Sequence, residues 1–105
     1  MPAETVVEMA TIKGAEAIGL GEQIGSLEVS KQADIILLNP TLPTPVTAEN
    51  VVAQLVTFGR GSFVEDVIVN GKMIIEKGKV LTTSEEEATR KCREAANSLW
   101  DQIPK

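Results

Sequence analysis

The fold is decided by the stretch Val64-Glu65-Asp66-Val67-Ile68-Val69-Asn70-Gly71-Lys72-Met73-Ile74-Ile75-Glu76. Two runs rich in valine and isoleucine flank Asn70-Gly71, and an Asn-Gly pair favours a type I′ turn because both central residues of that turn need a positive φ. The stretch therefore predicts a β-hairpin. Lys77-Gly78 predicts a second tight turn, which leads into a short strand around Val80-Leu81.

The residues before the hairpin predict further β structure over residues 24–40. The nearly continuous apolar run over residues 33–38 is typical of a strand that is covered on both faces. Asn39-Pro40 ends this run. The candidate inward-facing positions of the earlier part are Ile24, Leu27 and Val29.

Two helices are predicted upstream of the hairpin. Apolar residues recur at helical spacing over residues 4–20, and Gly19 and Gly21 supply the stop signals. A shorter helix is predicted over residues 48–58, with Thr47 as its N-terminal cap. Both helices are amphipathic, so each is expected to bury one face.

A third helix is predicted from Ser84 to about Ile103. Ser84 and Glu87 have the spacing of a capping box. Apolar residues then recur three or four positions apart, and Pro104 ends the pattern. The members of this apolar stripe are Ala88, Cys92, Ala95, Ala96, Leu99, Trp100 and Ile103.

Composition excludes several classes of function. The 105 residues carry a net charge of −5 and contain no histidine and one cysteine. A Ser-His-Asp triad, a His-ligated metal site and an internal disulfide are therefore impossible on this chain. Acidic charge and few aromatic residues disfavour nucleic-acid binding. We find no signal peptide and no apolar run long enough to span a membrane, so we expect a cytoplasmic protein.

Acidic residues and the cysteine are the candidate metal-binding or catalytic groups. Glu85-Glu86-Glu87 could bind a hard cation, but we favour a solvated first helical turn, where the helix dipole stabilises negative charge. Cys92 could be a reactive thiol, but its place on the apolar stripe favours a packing residue. Asp34 and Asp66 could act as bases, although such residues more often bind a backbone amide.

A glycine-rich turn and the tryptophan are the candidate binding features. Gly59-Arg60-Gly61-Ser62 could hold an anion, but it lacks the strand-to-helix context and the lysine of phosphate-binding loops. Trp100 could anchor a partner, but we favour it as the largest part of the core face of the last helix. The sequence therefore assigns no catalytic, cofactor-binding or metal-binding residue to this chain.

Four segments, taken in order, resemble the amidohydrolase superfamily. Residues 10–20 are similar to its AT-x-x-GA-x-x-LGL helix, and residues 24–36 resemble its IGSLEVGK-x-ADLI stretch. Residues 64–72 look like its V-x-x-VIV-[ND]-GK hairpin, and residues 78–81 like the DG-x-[VL] that follows. Ser30 departs from the pattern, because the family usually has glycine there. The branch most resembled holds cytosine/guanine deaminases, S-adenosylhomocysteine deaminases and chlorotriazine hydrolases.

The resemblance implies an α+β fold, in which a small β-sheet from the family's composite β-sandwich packs with about three helices and the catalytic (β/α)8 barrel is absent. It divides a single domain, residues 1–105, into three segments. Residues 1–21 are the last barrel-type helix, residues 22–83 the β-rich part with an inserted helix, and residues 84–105 the terminal helix. The family's zinc or iron ligands lie upstream, so none of them maps onto this chain.

The function implied is that of a non-catalytic C-terminal scaffold portion, whose parent protein hydrolyses a non-peptide C–N bond, as in deamination. Two alternatives remain open: a stand-alone interaction or oligomerisation module, and a subunit that complements a separate barrel chain. Without the barrel, the apolar face of the first helix and residues 35–38 would meet water. We therefore expect a homodimer or a missing barrel domain as the partner, and no nucleic acid or membrane.

Overall fold

A four-stranded antiparallel sheet and four helices make up the part of the chain that the computed structural model describes, residues 1–104. This architecture confirms the expected α+β fold, with one helix more than predicted. The helices and strands in chain order are α1 (Ala3–Ala10), α2 (Ile12–Ala17), β1 (Ile35–Leu38), α3 (Val51–Phe58), β2 (Val64–Val69), β3 (Lys72–Glu76), β4 (Lys79–Val80) and α4 (Glu85–Asp101). A short 3-10 turn, Gly61–Phe63, precedes β2.

The sheet follows the chain order β1-β2-β3-β4, so β1 and β4 are its edges. Ile35 of β1 lies opposite Ile68, and Val69 lies opposite Lys72 across the hairpin. In the sequence, α3 lies between β1 and β2. Because β1 pairs only with β2, its other edge has no neighbouring strand among the described residues.

Both predicted turns of the hairpin region are confirmed. Asn70 and Gly71 have φ values of 49° and 77°, as a type I′ turn requires, and Lys77 and Gly78 repeat the pattern with 49° and 77°. The Gly71 amide also donates to the carbonyl of Ala33 at 3.0 Å. The first turn thus ties the hairpin to the residues that enter β1.

Replacing Gly71 by valine should destabilise the hairpin by about 1–3 kcal/mol, because a β-branched residue is strained at positive φ. Urea unfolding followed through the NMR signals of β2 and β3 measures the loss. Gly61→Val is the matched control, since Gly61 has no positive φ and no heavy atom within 4 Å of an added Cβ. A loss well below about 0.5 kcal/mol for Gly71→Val would contradict the turn assignment.

The first predicted helix is interrupted, which corrects the expectation of one helix over residues 4–20. Thr11 separates α1 from α2 with φ −124° and ψ −100°. Its hydroxyl donates to the carbonyl of Val7 at 2.7 Å, and such back-bonding competes with the helical ladder. The predicted stop is confirmed: Gly19 has φ 79°, and the amides of Gly19 and Leu20 donate to the carbonyls of Glu16 and Ala15.

The expectation of β structure over residues 24–34 is wrong. These residues form a loop that includes two positive φ values, at Gly25 and Ser30. Leu27 and Val29, expected to face inward, are 81% and 98% exposed, whereas Ile24 is half-buried. Only residues 35–38 form a strand, and most of it is exposed rather than covered on both faces.

The other helix boundaries differ only in detail. Helix α3 begins at Val51, because Thr47 forms a turn in which its carbonyl accepts from Asn50 and Val51 and its amide donates to the Asn50 side chain. In α4, the Ser84 hydroxyl accepts from the Glu87 amide at 3.2 Å, as a cap predicts. The Glu87 carboxylate pairs with Arg90, so it does not form the second hydrogen bond of a capping box, the one to the Ser84 amide.

The described residues build almost no core. Ala15, which is 5% exposed, is the one buried residue among residues 1–104. The accessible surface is 8380 Å², against about 5,700 Å² for a compact monomer of this mass. The radius of gyration is 18.4 Å, against about 13 Å for a compact domain of this length. Within the described part, no helix has the length and apolarity needed to cross a bilayer.

Candidate functional site

An apolar cleft lies between β1 and α3. Its volume is about 220 Å³. The lining is apolar except for Gln54, so the cleft holds no acid, base or nucleophile. Its walls are formed by Leu38, Pro40, Leu42, Val46, Val51, Leu55 and Phe63. Such a cleft binds apolar groups but carries no chemistry of its own.

A second surface is formed where the loop over residues 18–34 packs on α2. Gly25 approaches α2 so closely that an added Cβ would lie 2.7 Å from the Cβ of Ala15. Lys31 holds the loop from the other side, with a side chain only 11% exposed. Its ammonium donates to the Gly21 carbonyl at 2.6 Å and to the Ser26 hydroxyl at 2.7 Å.

The acidic partner of Lys31 is Glu28, whose carboxylate lies 3.1 Å from the ammonium. The Ser26 hydroxyl donates to the same carboxylate and, together with Lys31, lowers the pKa of Glu28. Because the folded pKa lies below the unfolded value, this contact stabilises the loop above the unfolded pKa and is lost as the pH falls through the folded one. Glu28 is largely exposed, so the contribution is small.

Replacing Lys31 by methionine should open the loop, because it removes hydrogen bonds from a charged donor to Gly21 and Ser26. A loss of about 1–3 kcal/mol corresponds to roughly 5- to 150-fold faster cleavage by thermolysin next to the exposed Leu27 and Val29. Lys13→Met is the control, because Lys13 is exposed on α2. Equal cleavage of both variants would contradict this role of Lys31.

Asp34 and Asp66 bind backbone amides, as the simpler interpretation of the sequence predicted. The Asp34 carboxylate accepts from the Asn70 amide at 2.7 Å, and the Asp66 carboxylate accepts from the Lys77 amide at 2.8 Å. Each carboxylate therefore fixes one of the two positive-φ turns. The two residues form no catalytic pair.

The remaining candidate groups also lie apart from one another. Glu87 pairs with Arg90 and Lys91 on the surface of α4. In the glycine-rich turn, the guanidinium of Arg60 lies 5.6 Å from the centre of the Phe63 ring, in cation–π range. Cys92 is exposed and Trp100 is 66% exposed, so the expectation that both pack in a core is wrong. Within the described part of the chain, no helix or strand packs extensively against that face of α4.

Sequence reasoning missed the apolar cleft. The signal was present in the proline-rich segment over residues 40–46, where Leu42 and Val46 are apolar residues within an apparent loop. That segment was interpreted as a connection only. Its apolar residues instead close one side of the cleft against α3.

Comparison with known proteins decides the family. The model named "Amidohydrolase family" matches residues 1–74, more than two thirds of the chain. The chain belongs to the amidohydrolase family. A 5-methylthioadenosine/S-adenosylhomocysteine deaminase of Moorella thermoacetica is 45% identical over 87 residues, and a 5'-deoxyadenosine deaminase of Methanosphaera stadtmanae is 35% identical over 99 residues.

This amidohydrolase-family chain spans only a small part of those relatives. The matches cover 83% and 94% of the chain but 20% and 23% of the two deaminases. A crystal structure of a zinc-bound adenosine deaminase from Xanthomonas campestris superposes with a TM-score of 0.85 at 27% identity, over 95% of this chain and 23% of that one. A triazine hydrolase variant shares the fold at a TM-score of 0.76 and 23% identity, over 90% and 20% of the two chains.

The residues of this chain do not form a zinc site like the one that the Xanthomonas structure implies. Zinc sites in proteins use histidine, cysteine and carboxylate ligands that converge on one point. The chain has no histidine, and its single cysteine lies exposed on α4. Over residues 1–104, no three such side chains are grouped closely enough to hold a metal ion.

Proposed function

We propose that this chain is the C-terminal, non-catalytic scaffold portion of a metal-dependent deaminase of the amidohydrolase family. In this proposal, the parent protein removes the amino group of an adenosine-type nucleoside by hydrolysis of a C–N bond. The metal and its ligands belong to the remainder of the parent, which corresponds to about four fifths of the relatives' length. The chain supplies the sheet, the apolar cleft and the helices that close against that remainder.

The observation that carries the proposal is the excess of accessible surface. The chain exposes about 2,700 Å² more than a compact monomer of its mass. Large apolar side chains on helices and strands lie exposed: Ile36 of β1 is 55% exposed and Met9 of α1 is 54% exposed. Surfaces of this size and character are covered in stable proteins, and obligate interfaces bury areas of this order.

The names of the relatives support the class of substrate. The Moorella relative is a deaminase of 5-methylthioadenosine and S-adenosylhomocysteine, and the Methanosphaera relative is a deaminase of 5'-deoxyadenosine. All three compounds contain adenosine or a 5'-modified form of it.

Fragment complementation tests the proposal. The Moorella deaminase is expressed without the segment that matches this chain, and the chain is supplied either fused in its place or as a separate polypeptide. We expect deamination of 5-methylthioadenosine to depend on the chain. Ile36→Asp should abolish the gain, because it places a charge on the uncovered strand while leaving the hairpin intact.

The outcomes separate the alternatives. Activity with the separate chain supports a subunit that works in trans, and activity only in the fusion supports a segment of one polypeptide. If the Moorella enzyme's own segment restores activity in both formats and this chain restores it in neither, the scaffold proposal is wrong. The stand-alone module would then be the remaining interpretation.

A further inference from the structure

A concavity of about 470 Å³ lies between α2, the loop over residues 18–34 and β1. Three large apolar side chains line it, and all three are exposed: Ile18 is 68%, Leu27 81% and Ile36 55% exposed. Ile18 directly follows α2, Leu27 lies in the loop and Ile36 lies in β1. Exposed apolar side chains from three parts of the chain therefore face one concavity, which we call the loop concavity.

The loop that carries Leu27 is held in one conformation by bonds within the chain. The Lys31 side chain is only 11% exposed, and its ammonium donates to the Gly21 carbonyl at 2.6 Å. The Gln32 amide donates to the Gln23 carbonyl at 2.8 Å. Both bonds join a residue before Leu27 to a residue after it. The position of Leu27 is thus set before any partner binds, and such preorganisation lowers the entropic cost of binding.

We propose that the loop concavity, with Leu27 as its anchor, receives an apolar segment of the missing portion of the parent protein. In this proposal, Lys31 is a positioning residue that holds Leu27 in place for the contact. The inference rests on the proposed function and adds to it the surface through which the chain binds the missing portion. Removal of the exposed Leu27 and Ile36 side chains from water favours the contact.

The length of the related proteins identifies the missing portion as the occupant. The matches to the Methanosphaera deaminase and to the Xanthomonas structure cover 94% and 95% of this chain, but only 23% of each of those proteins. Nearly the whole of this fold therefore occurs within chains that are more than four times as long. The additional chain of such a protein is available to cover the loop concavity.

The loop concavity adjoins the surface that the proposed function already assigns to the missing portion. Ile36 lines the concavity and Leu38 lines the apolar cleft, and alternate residues of a strand lie on the same face. Both therefore lie along one face of β1. Asp34 is the one charged residue among the described residues that line the concavity, and its carboxylate already accepts from the Asn70 amide. An apolar segment without acidic side chains is accordingly the occupant that fits.

Thiol labelling in a Cys92→Ser background tests the contact. Leu27→Cys places a thiol in the loop concavity, and Val29→Cys is the matched control, because Val29 is 98% exposed on the same loop but does not line the concavity. Each variant is labelled with a maleimide as the chain alone and in the assembly with the truncated Moorella deaminase, fused or separate, that restores deamination. Mass spectrometry of the loop peptide follows the reaction. We expect labelling of Leu27→Cys to slow by at least about tenfold in the assembly, and labelling of Val29→Cys to change by less than about threefold.

Lys31→Met tests the positioning role with the same readout. It should speed the labelling of Leu27→Cys in the assembly by at least about fivefold, because the loop loses hydrogen bonds from a charged donor. In the chain alone it should change nothing, because that position is already exposed. Lys13→Met is the control and should have no effect in either state. Unchanged labelling of the Lys31→Met variant in the assembly would overturn the positioning role.

The outcomes separate this inference from the proposed function. If the assembly deaminates while Leu27→Cys reacts as fast as in the chain alone, or while both thiols are protected equally, the inference is wrong and the proposed function stands. If labelling of Leu27→Cys slows as the concentration of the chain alone rises, a second copy covers Leu27, which also overturns the inference. If this chain restores activity in neither format, the proposed function fails and the inference fails with it.

Discussion

Replacing Gly25 by valine should disrupt the loop between α2 and β1 more than any other single substitution considered. Gly25 has a φ of 96°, and a Cβ there would lie 2.7 Å from the Cβ of Ala15 and 3.0 Å from the Cα of Ile12. The neighbours are the backbone of α2 and Ala15, which is the one buried residue among residues 1–104, so neither can move aside cheaply. Backbone strain and overpacking together should cost about 2–5 kcal/mol.

Gly19→Val separates the two causes. Gly19 also has a positive φ, 79°, but no heavy atom lies within 4 Å of the position of its Cβ. It should therefore show the strain alone, about 1–3 kcal/mol, as for Gly71→Val. NMR hydrogen exchange at the amides of Leu20, Ile24 and Gln32, which bond to carbonyls in this region, measures both variants. Equal losses at the two positions would contradict the close packing of Gly25 on α2.

The isolated chain should bind no zinc and deaminate no nucleoside, whereas its assembly with the truncated Moorella deaminase should hold zinc stoichiometrically. The reason is the set of available ligands: the chain has no histidine and one exposed cysteine, and over residues 1–104 no three acidic or cysteine side chains are grouped closely enough to hold a metal ion. Metal analysis after dialysis against a weak chelator distinguishes the two states. One zinc per isolated chain would refute the assignment of the metal to the missing portion.

Local signals in the sequence predicted those elements whose structure depends on the backbone. Asn70, Gly71 and Gly78 accept the positive φ values that the two turns need, and Ser84 caps α4 because its hydroxyl reaches an amide. The roles of Asp34 and Asp66 followed from the same local logic. These interactions need no distant partner, so a short window of sequence contains them.

Predictions that depended on packing succeeded less often. Leu27 and Val29 were expected to face inward because they are apolar. They are exposed instead, in a loop that the hydrogen bond from the Lys31 ammonium to the Gly21 carbonyl stabilises. Cys92 and Trp100 were assigned to the core-facing side of the last helix, but both are exposed in the described part of the chain. An apolar pattern shows that a face is to be covered, but it does not show whether the cover lies in the same chain. The division into residues 1–21, 22–83 and 84–105 stays a prediction.

Hydrogen exchange at strand β1 tests most directly the central claim, that this chain is a scaffold completed by a larger portion of an amidohydrolase-family protein. The amides of residues 35–38 are measured in the chain alone and in its assembly with the truncated Moorella deaminase. We predict that exchange slows by at least about 100-fold in the assembly, because β1 is an exposed edge strand in the chain alone and the larger portion would cover it. Equal protection in the two states would contradict the account and would mean that β1 belongs to a fold that is complete without a partner.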